Sequence, residues 1–144
     1  MQEQKQAEAE AATERVAIVD GSNVAHSTEG AAPRLENIMV VCEKLRADGY
    51  QPIVVVDAAL RHEIDERAEF ERLLDSGAIR QTPAGTDADY FILSFARELE
   101  AAVVSNDRFR DRKSAFSDVT DRLIRYMILN GEVVFEKRVH RRKD

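Results

Sequence analysis

Three stretches of the chain are apolar without alternation, and between them apolar residues return at helical spacing. Val16-Ala17-Ile18-Val19 is such a run, the pattern of a parallel strand covered on both faces, and Asp20-Gly21-Ser22-Asn23 stops it. Pro52 to Val56 gives a second buried strand, ending in Asp57. Ala78 to Thr82 reads as a short third strand and Ala101 to Val104 as a fourth, the last followed by Ser105-Asn106-Asp107. Leu35, Ile38, Met39, Cys42 and Leu45 mark a helix ended by Gly49. Residues 61 to 75 read as a charged helix with Ile64, Phe70, Leu73 and Leu74 inward, closed by Gly77. Thr86 to Leu99 follows with Phe91, Ile92, Phe95, Ala96 and Leu99 on one side. Asp118 to Leu129 reads as a last helix with Val119, Leu123, Tyr126 and Met127 toward the core, before a strand beginning at Val133 to Phe135. Strands alternating with helices predict a three-layer α/β/α sandwich around a mainly parallel sheet.

At 144 residues and 44% hydrophobic content, the chain suits one domain with a real core. Residues 1–14, rich in Gln, Glu and Ala, form a flexible or helical tail in this reading, 15–136 the domain, and 137–144 a basic tail carrying Lys137, Arg138, Arg141, Arg142 and Lys143 against Asp144. A net charge of -6 argues against a surface coated in basic residues, though not against a local basic patch. One cysteine and three histidines cannot build a Cys/His zinc site or an intrachain disulfide. Cys42, on an apolar stripe, reads as a buried thiol. With neither a signal-type apolar core nor a membrane-length apolar run, the expected setting is soluble and cytoplasmic.

Parallel strands joined by right-handed crossovers bring their carboxyl ends to one edge, so Asp20 and Asp107 should converge there. The helix start at Thr86-Asp87-Ala88-Asp89 opens on the same edge, and Asp111 lies one helical turn beyond Asp107. Carboxylates crowded in one cleft repel unless some protonate or a cation neutralises them. A hard divalent ion with oxygen ligands, magnesium first and manganese second, suits such a set. No nucleophilic cysteine, Ser-His pairing or glycine-rich phosphate loop is apparent, so the chemistry implied is metal-assisted hydrolysis, with Arg61, Arg108 and Arg110 as candidates for contacts to a charged substrate.

VAIVDGSNVA, then IVVVD with a charged helix, then TP before an acidic helix start D-x-D-Y-F-I-L, then AAVVSNDRFRD and finally RYMILNGEVVF resemble, in order, the NYN domain of the PIN-like ribonucleases. Within that superfamily the chain looks most like prokaryotic relatives of the CCCH zinc-finger ribonucleases of the regnase/MCPIP type. The resemblance runs from about Val16 to Phe135 and implies a PIN-like fold and a magnesium-dependent endoribonuclease. It implies that Asp20, Asn23, Asp89, Asp107 and Asp111 are catalytic, the four aspartates as metal ligands and Asn23 as an orienter of Asp20. Ser22, Arg61, Arg108 and Arg110 are the candidate substrate contacts. The expected substrate is RNA, single-stranded or in a loop, cut by water to leave a 5′-phosphate, with no membrane partner and with a homodimer or a protein inhibitor left open. Two departures stand out. The related branch carries adjacent aspartates where this chain has Asp87-Ala88-Asp89, which makes Asp87 only an additional candidate. With Thr86 as N-cap, Asp87 and Asp89 would point about 200° apart. The loop Ala84-Gly85-Thr86 is also shorter than its counterpart, and the zinc finger is absent. Competing readings are an RNA-binding or scaffold module with weak catalysis, and a haloacid-dehalogenase-like phosphohydrolase, which would need an aspartate where Ser22 stands.

Overall fold

A computed structural model describes residues 15–137. The two tails expected at 1–14 and 137–144 thus fall outside the described residues, apart from Lys137 at the end of the last strand. Six strands form one sheet in the order β3-β2-β1-β4-β5-β6. These are β1 (Arg15–Asp20), β2 (Tyr50–Val56), β3 (Ile79–Gln81), β4 (Ala102–Val104), β5 (Leu123–Leu129) and β6 (Glu132–Lys137). All neighbours run parallel except β5 and β6. β1 lies at the centre of the parallel part, with Ile18 beside Ile53 on one side and Val103 on the other.

Helices cover both faces. Ala17 and Val19 of β1, with Val54 and Val56, meet α1 (Gly21–Ala25), α2 (Leu35–Ala47) and α3 (Arg67–Ser76), through Val24, Ile38, Leu45 and Phe70. Ile18 and Val55 face the other way, against Ile92, Leu93 and Ala96 of α4 (Ala88–Leu99) and Val119 of the short α5 (Ser117–Thr120). Residues one apart in β1 therefore serve two cores, which is why its sequence shows no alternation. The result is the three-layer α/β/α sandwich, mainly parallel, that the pattern predicts. Cys42 is buried in the first core, and burial pushes its thiol up to about 11, so it packs as a small apolar group. No helix among the described residues is long and apolar enough to cross a membrane.

Three expected helices are corrected. The span 61 to 75 divides into a 3₁₀ turn, Leu60–His62, and α3. Between them Glu66 adopts a left-handed conformation, φ 49°, and Asp65 reaches back to accept the Leu35 amide proton at 2.8 Å. Ile64 is buried as expected, but from this connection. The helix expected from Thr86 begins two residues later, because Asp87 is its N-cap and accepts from the Tyr90 amide. The span Asp118 to Leu129 is not a helix: α5 ends at Thr120, and Leu123–Leu129 is β5, paired with β6 through Tyr126 opposite Phe135 and Met127 opposite Val134. Asn130 and Gly131 make the turn with φ of 53° and 80°, the two positive values that a tight hairpin of matching twist requires. Met127, expected to face the core, is 55% exposed on the open side of that hairpin.

Candidate active site

The centre of the site is set by the way β1 ends. Asp20 is its last residue and also the N-cap of α1, its Oδ1 accepting from the Asn23 amide at 3.4 Å. For α1 to start directly at the end of β1, the backbone must press on β2. A Cβ on Gly21 would lie 2.7 Å from Val56 Cγ1, 2.9 Å from Val54 Cγ1 and 3.1 Å from the Val55 carbonyl oxygen. Only glycine fits there. The second oxygen of Asp20 accepts from Ser105 Oγ at 2.8 Å, and the same hydroxyl oxygen accepts the Asp107 amide proton at 3.0 Å. One buried serine thus ties the ends of β1 and β4 together.

Asp20 is 7% exposed, and its carboxyl is pushed up to about 6, first by burial and then, against the hydrogen bonds from Ser105 and Asn23, by the charges of Asp89 and Asp107. Asp89, in the first turn of α4, is also raised, by burial and by Asp107. Asp107 accepts from the Phe109 amide at 2.7 Å and is exposed at the rim.

These groups line a cleft of two adjoining lobes. The inner lobe, about 310 Å³, has Asp20, Ser22, Asn23, His26, Asp57, Asp89 and Asp107 on its walls. Asp87, Asp89, Asn106, Asp107 and Asp111 line the outer lobe, about 730 Å³, together with Arg108, Arg110 and Arg112. Asp89 and Asp107 belong to both. The expected convergence of Asp20, Asp89 and Asp107 is therefore present, while Asp111, on a 3₁₀ turn at Arg110–Arg112, reaches only the outer lobe. Among the described residues no three His, Cys, Asp or Glu side chains come close enough together to hold a metal ion by themselves.

The remaining candidates separate by what already engages them. Both oxygens of Asp87 are in use, one capping α4 and one paired with Arg112. Asn23 turns its Oδ1 away from Asp20 to accept from the Asn106 amide at 3.0 Å and from Tyr126 Oη at 2.7 Å. It acts on Asp20 through its backbone amide. Ser22 Oγ accepts the Asp57 amide proton at 3.0 Å, which ties the ends of β1 and β2 together. Asp57 stands in the inner lobe with one oxygen accepting from the Leu60 amide. Arg61 is not on either wall; its guanidinium is bound to Glu71 of α3. Arg108 and Arg110 line the outer lobe and form no ion pair among the described residues.

Four residues of the site were not singled out by sequence reasoning. Ser105 and Asn106 sit inside the VVSND motif, and that position was the available signal. Asn106 works as a strand bridge, its amide side chain exchanging hydrogen bonds with the Tyr126 backbone. Tyr126 carried no local signal, since it acts across 103 residues of chain, and burial holds its phenol well above the usual range. His26 lines the inner lobe with Nδ1 donating to the Ser22 carbonyl at 2.8 Å and Nε2 3.3 Å from Glu63.

Known proteins share this frame. The chain is similar to the Arabidopsis thaliana nuclear protein-only RNase P 2 (PRORP2), with a TM-score of 0.69 and 23% identity, over 92% of this chain and 32% of that one. A crystal structure of the nuclear proteinaceous RNase P 2 (PRORP2) from A. thaliana gives 0.68 and 22%, over 94% of this chain and 32% of that one. The chain spans about a third of the length of those proteins, and at such identity the likeness concerns the fold. No curated protein matches the chain. A family model does: the Zc3h12a-like Ribonuclease NYN domain covers residues 13–144, from before β1 to the last residue. With DGSN ending β1, Asp89 opening α4 and SND ending β4 around one acidic cleft, this chain belongs to the Zc3h12a-like ribonuclease NYN domain family.

Proposed function

We propose that the protein is a divalent-metal-dependent endoribonuclease that hydrolyses a phosphodiester bond of single-stranded or loop RNA and leaves a 5′-phosphate. The observation that carries this reading is the joining of Asp20, Asp89 and Asp107 in one cleft, with Asp20 buried and its carboxyl displaced to about 6. Such a set is costly to keep ionised without a cation.

The donors fit magnesium, with manganese as substitute. They are all oxygen, and too spread for three to bind one ion directly, which suits an ion that keeps waters and takes one or two carboxylates plus substrate phosphate. Asp20, Asp89 and Asp107 would hold it, with Asp111 on the adjoining wall of the outer lobe. When bound, such an ion would supply charge neutralisation at the phosphoryl oxygen and a water of lowered pKa. The protein's own groups do the placing. Ser105 Oγ–H and the Asn23 amide fix both oxygens of Asp20, so the carboxylate cannot rotate out of the cleft. Arg108 and Arg110 draw the strand's phosphates over the outer lobe and offset the repulsion of the aspartates. Ser22 offers its hydroxyl to a phosphate oxygen in the inner lobe. Arg61, engaged by Glu71, is not used.

The test is incubation of the purified protein with labelled single-stranded RNA and DNA in magnesium, manganese or EDTA, beside Asp20→Asn and Asp107→Asn. The expected outcome is RNA cleavage with either metal, none in EDTA, and a loss of orders of magnitude in both variants. RNA left intact in both metals would leave a binding or scaffold module, and cleavage that persists in both variants would move the site elsewhere.

A further inference from the structure

Tyr90 directly follows Asp89 on the first turn of α4, and it is 52% exposed. A single exposed apolar side chain is ordinary. The surroundings of this one are not. Its ring meets that of Phe116 at 5.8 Å between centroids and 78° between planes, and Phe116 is itself buried. The Arg112 guanidinium lies 5.6 Å from the Tyr90 centroid and is steered there by its pair with Asp87, the N-cap of the same helix. Beyond Phe116, Arg97 lies 4.4 Å from that ring, held by Asp118 and by the Ala115 carbonyl. Arg112, Tyr90, Phe116 and Arg97 thus form a continuous row, two touching rings with a guanidinium over each, anchored at both ends. The row begins at the outer lobe, whose wall includes Arg112 beside Arg108 and Arg110.

We propose that Tyr90 is a stacking platform for one unpaired base of the RNA strand, beside the cleft that Asp89 and Asp107 line; the inference rests on the ribonuclease reading above. A base within a duplex has both faces covered by its neighbours, so a fixed ring beside the cleft selects a strand whose base can splay out. Aromatic rings interleaved with arginines are the general means of holding single-stranded nucleic acid without reading its sequence. The ring is braced by Phe116 and Arg112 before RNA arrives, so little order has to be gained on binding. Arg108 and Arg110 supply the phosphate contacts on the same side. An apolar protein partner would leave those two cations unused, which is why RNA is the favoured occupant.

The experiment uses the full chain carrying Asp20→Asn to stop turnover, with Tyr90→Phe and Tyr90→Leu added separately. Leucine keeps bulk against Phe116 but has no flat face. Binding of a labelled 12-nucleotide single-stranded RNA is measured by fluorescence anisotropy at fixed salt, together with a series in which one abasic nucleotide is walked along the strand. Melting temperatures and cleavage by the chain with Asp20 intact are recorded alongside. Tyr90→Leu should weaken binding about 5- to 160-fold, the range for one base–aromatic stack, while Tyr90→Phe stays within about twofold. At one position the abasic strand should cost the tyrosine protein as much as Tyr90→Leu does, and should cost Tyr90→Leu nothing further. Should the intact chain cut RNA while Tyr90→Leu binds as well as tyrosine, or should the two losses multiply independently at every position, stacking is wrong, and an unchanged affinity would point to a protein partner for this row. A chain with Asp20 intact that neither binds nor cuts RNA would overturn the ribonuclease reading and this inference together.

Discussion

Asp87 and Asp89 stand two residues apart at the mouth of the cleft, and the structure assigns them different work. Asp87 is the N-cap of α4, with one oxygen accepting from the Tyr90 amide at 3.3 Å and the other paired with Arg112. Asp89 has a carboxyl raised by burial and by Asp107 and lines both lobes. Replacing Asp87 with Asn keeps the cap, since the two residues cap about equally, and removes only the pair with Arg112, a half-exposed contact worth about 0.2–1 kcal/mol. Asp87→Ala removes the cap too, adding about 0.5–2 kcal/mol. In a domain of this size 1 kcal/mol corresponds to about 2–5 °C, so Asp87→Asn should melt within about 5 °C of wild type and Asp87→Ala several degrees lower. Cleavage at a temperature where all variants are folded should fall less than about tenfold for either, whereas Asp89→Asn should lose about 100-fold or more, the scale of losing a directly positioned charge, with little change in melting. The assay is single-turnover cleavage of labelled RNA beside thermal melting. Equal, severe losses of activity for Asp87→Asn and Asp89→Asn at unchanged melting temperature would show that both carboxylates act in the cleft and that the capping role is secondary.

Asp20→Asn should stabilise the protein at neutral pH. Because the folded carboxyl is raised from 3.8 to about 6, the native state holds the proton longer than the unfolded chain, and wild-type stability falls as pH rises through that window, by about 3 kcal/mol in all. Melts in EDTA should therefore coincide near pH 4 and separate up to pH 7, with magnesium stabilising only the wild type; coincidence at pH 7 would contradict the burial account. Gly21→Ala should cost about 1–3 kcal/mol, because the methyl group meets both β2 valines and the immovable Val55 carbonyl; a melting temperature equal to wild type would refute it. Truncation after Glu136 removes the basic run from Lys137 to Lys143, and each lost phosphate contact should lower the salt slope of RNA binding by about 0.7; an unchanged slope would remove the tail from RNA binding.

The sequence announced the parts of the fold in which one residue type had to serve one place. Val16–Val19 reads as a central strand because both neighbours of β1 and both cores demand apolar residues there, and DGSN reads as a strand end because only glycine fits against Val54 and Val56. Asp118 to Leu129 carries a helical pattern without forming a helix because Val119, Leu123, Tyr126 and Met127 fall at helical spacing by coincidence. The competing signals were the unbroken run from Leu123 to Leu129 with only Arg125 and Tyr126 carrying polar atoms, and the Asn130-Gly131 pair. Pairing with β4 and β6, a tertiary effect, decided the outcome. The acidic members of the site were legible because parallel topology carries strand ends to one edge. The partners that aim them were not: Ser105 meets Asp20 across 85 residues, Tyr126 meets Asn23 across 103, and Arg61 is withdrawn by a glutamate ten residues away. Spacing encodes none of those contacts.

The central claim is that water, activated in the cleft of Asp20, Asp89 and Asp107, attacks the phosphodiester. Single-turnover cleavage of RNA in ¹⁸O-labelled water with magnesium, followed by mass analysis of the fragments, tests it most directly. The account predicts one ¹⁸O atom in a 5′-phosphate on the downstream fragment and a free 3′-hydroxyl upstream. A 2′,3′-cyclic phosphate with no label would contradict it, because the nucleophile would then be the ribose 2′-hydroxyl and the acidic cleft would not be where the attacking oxygen is made.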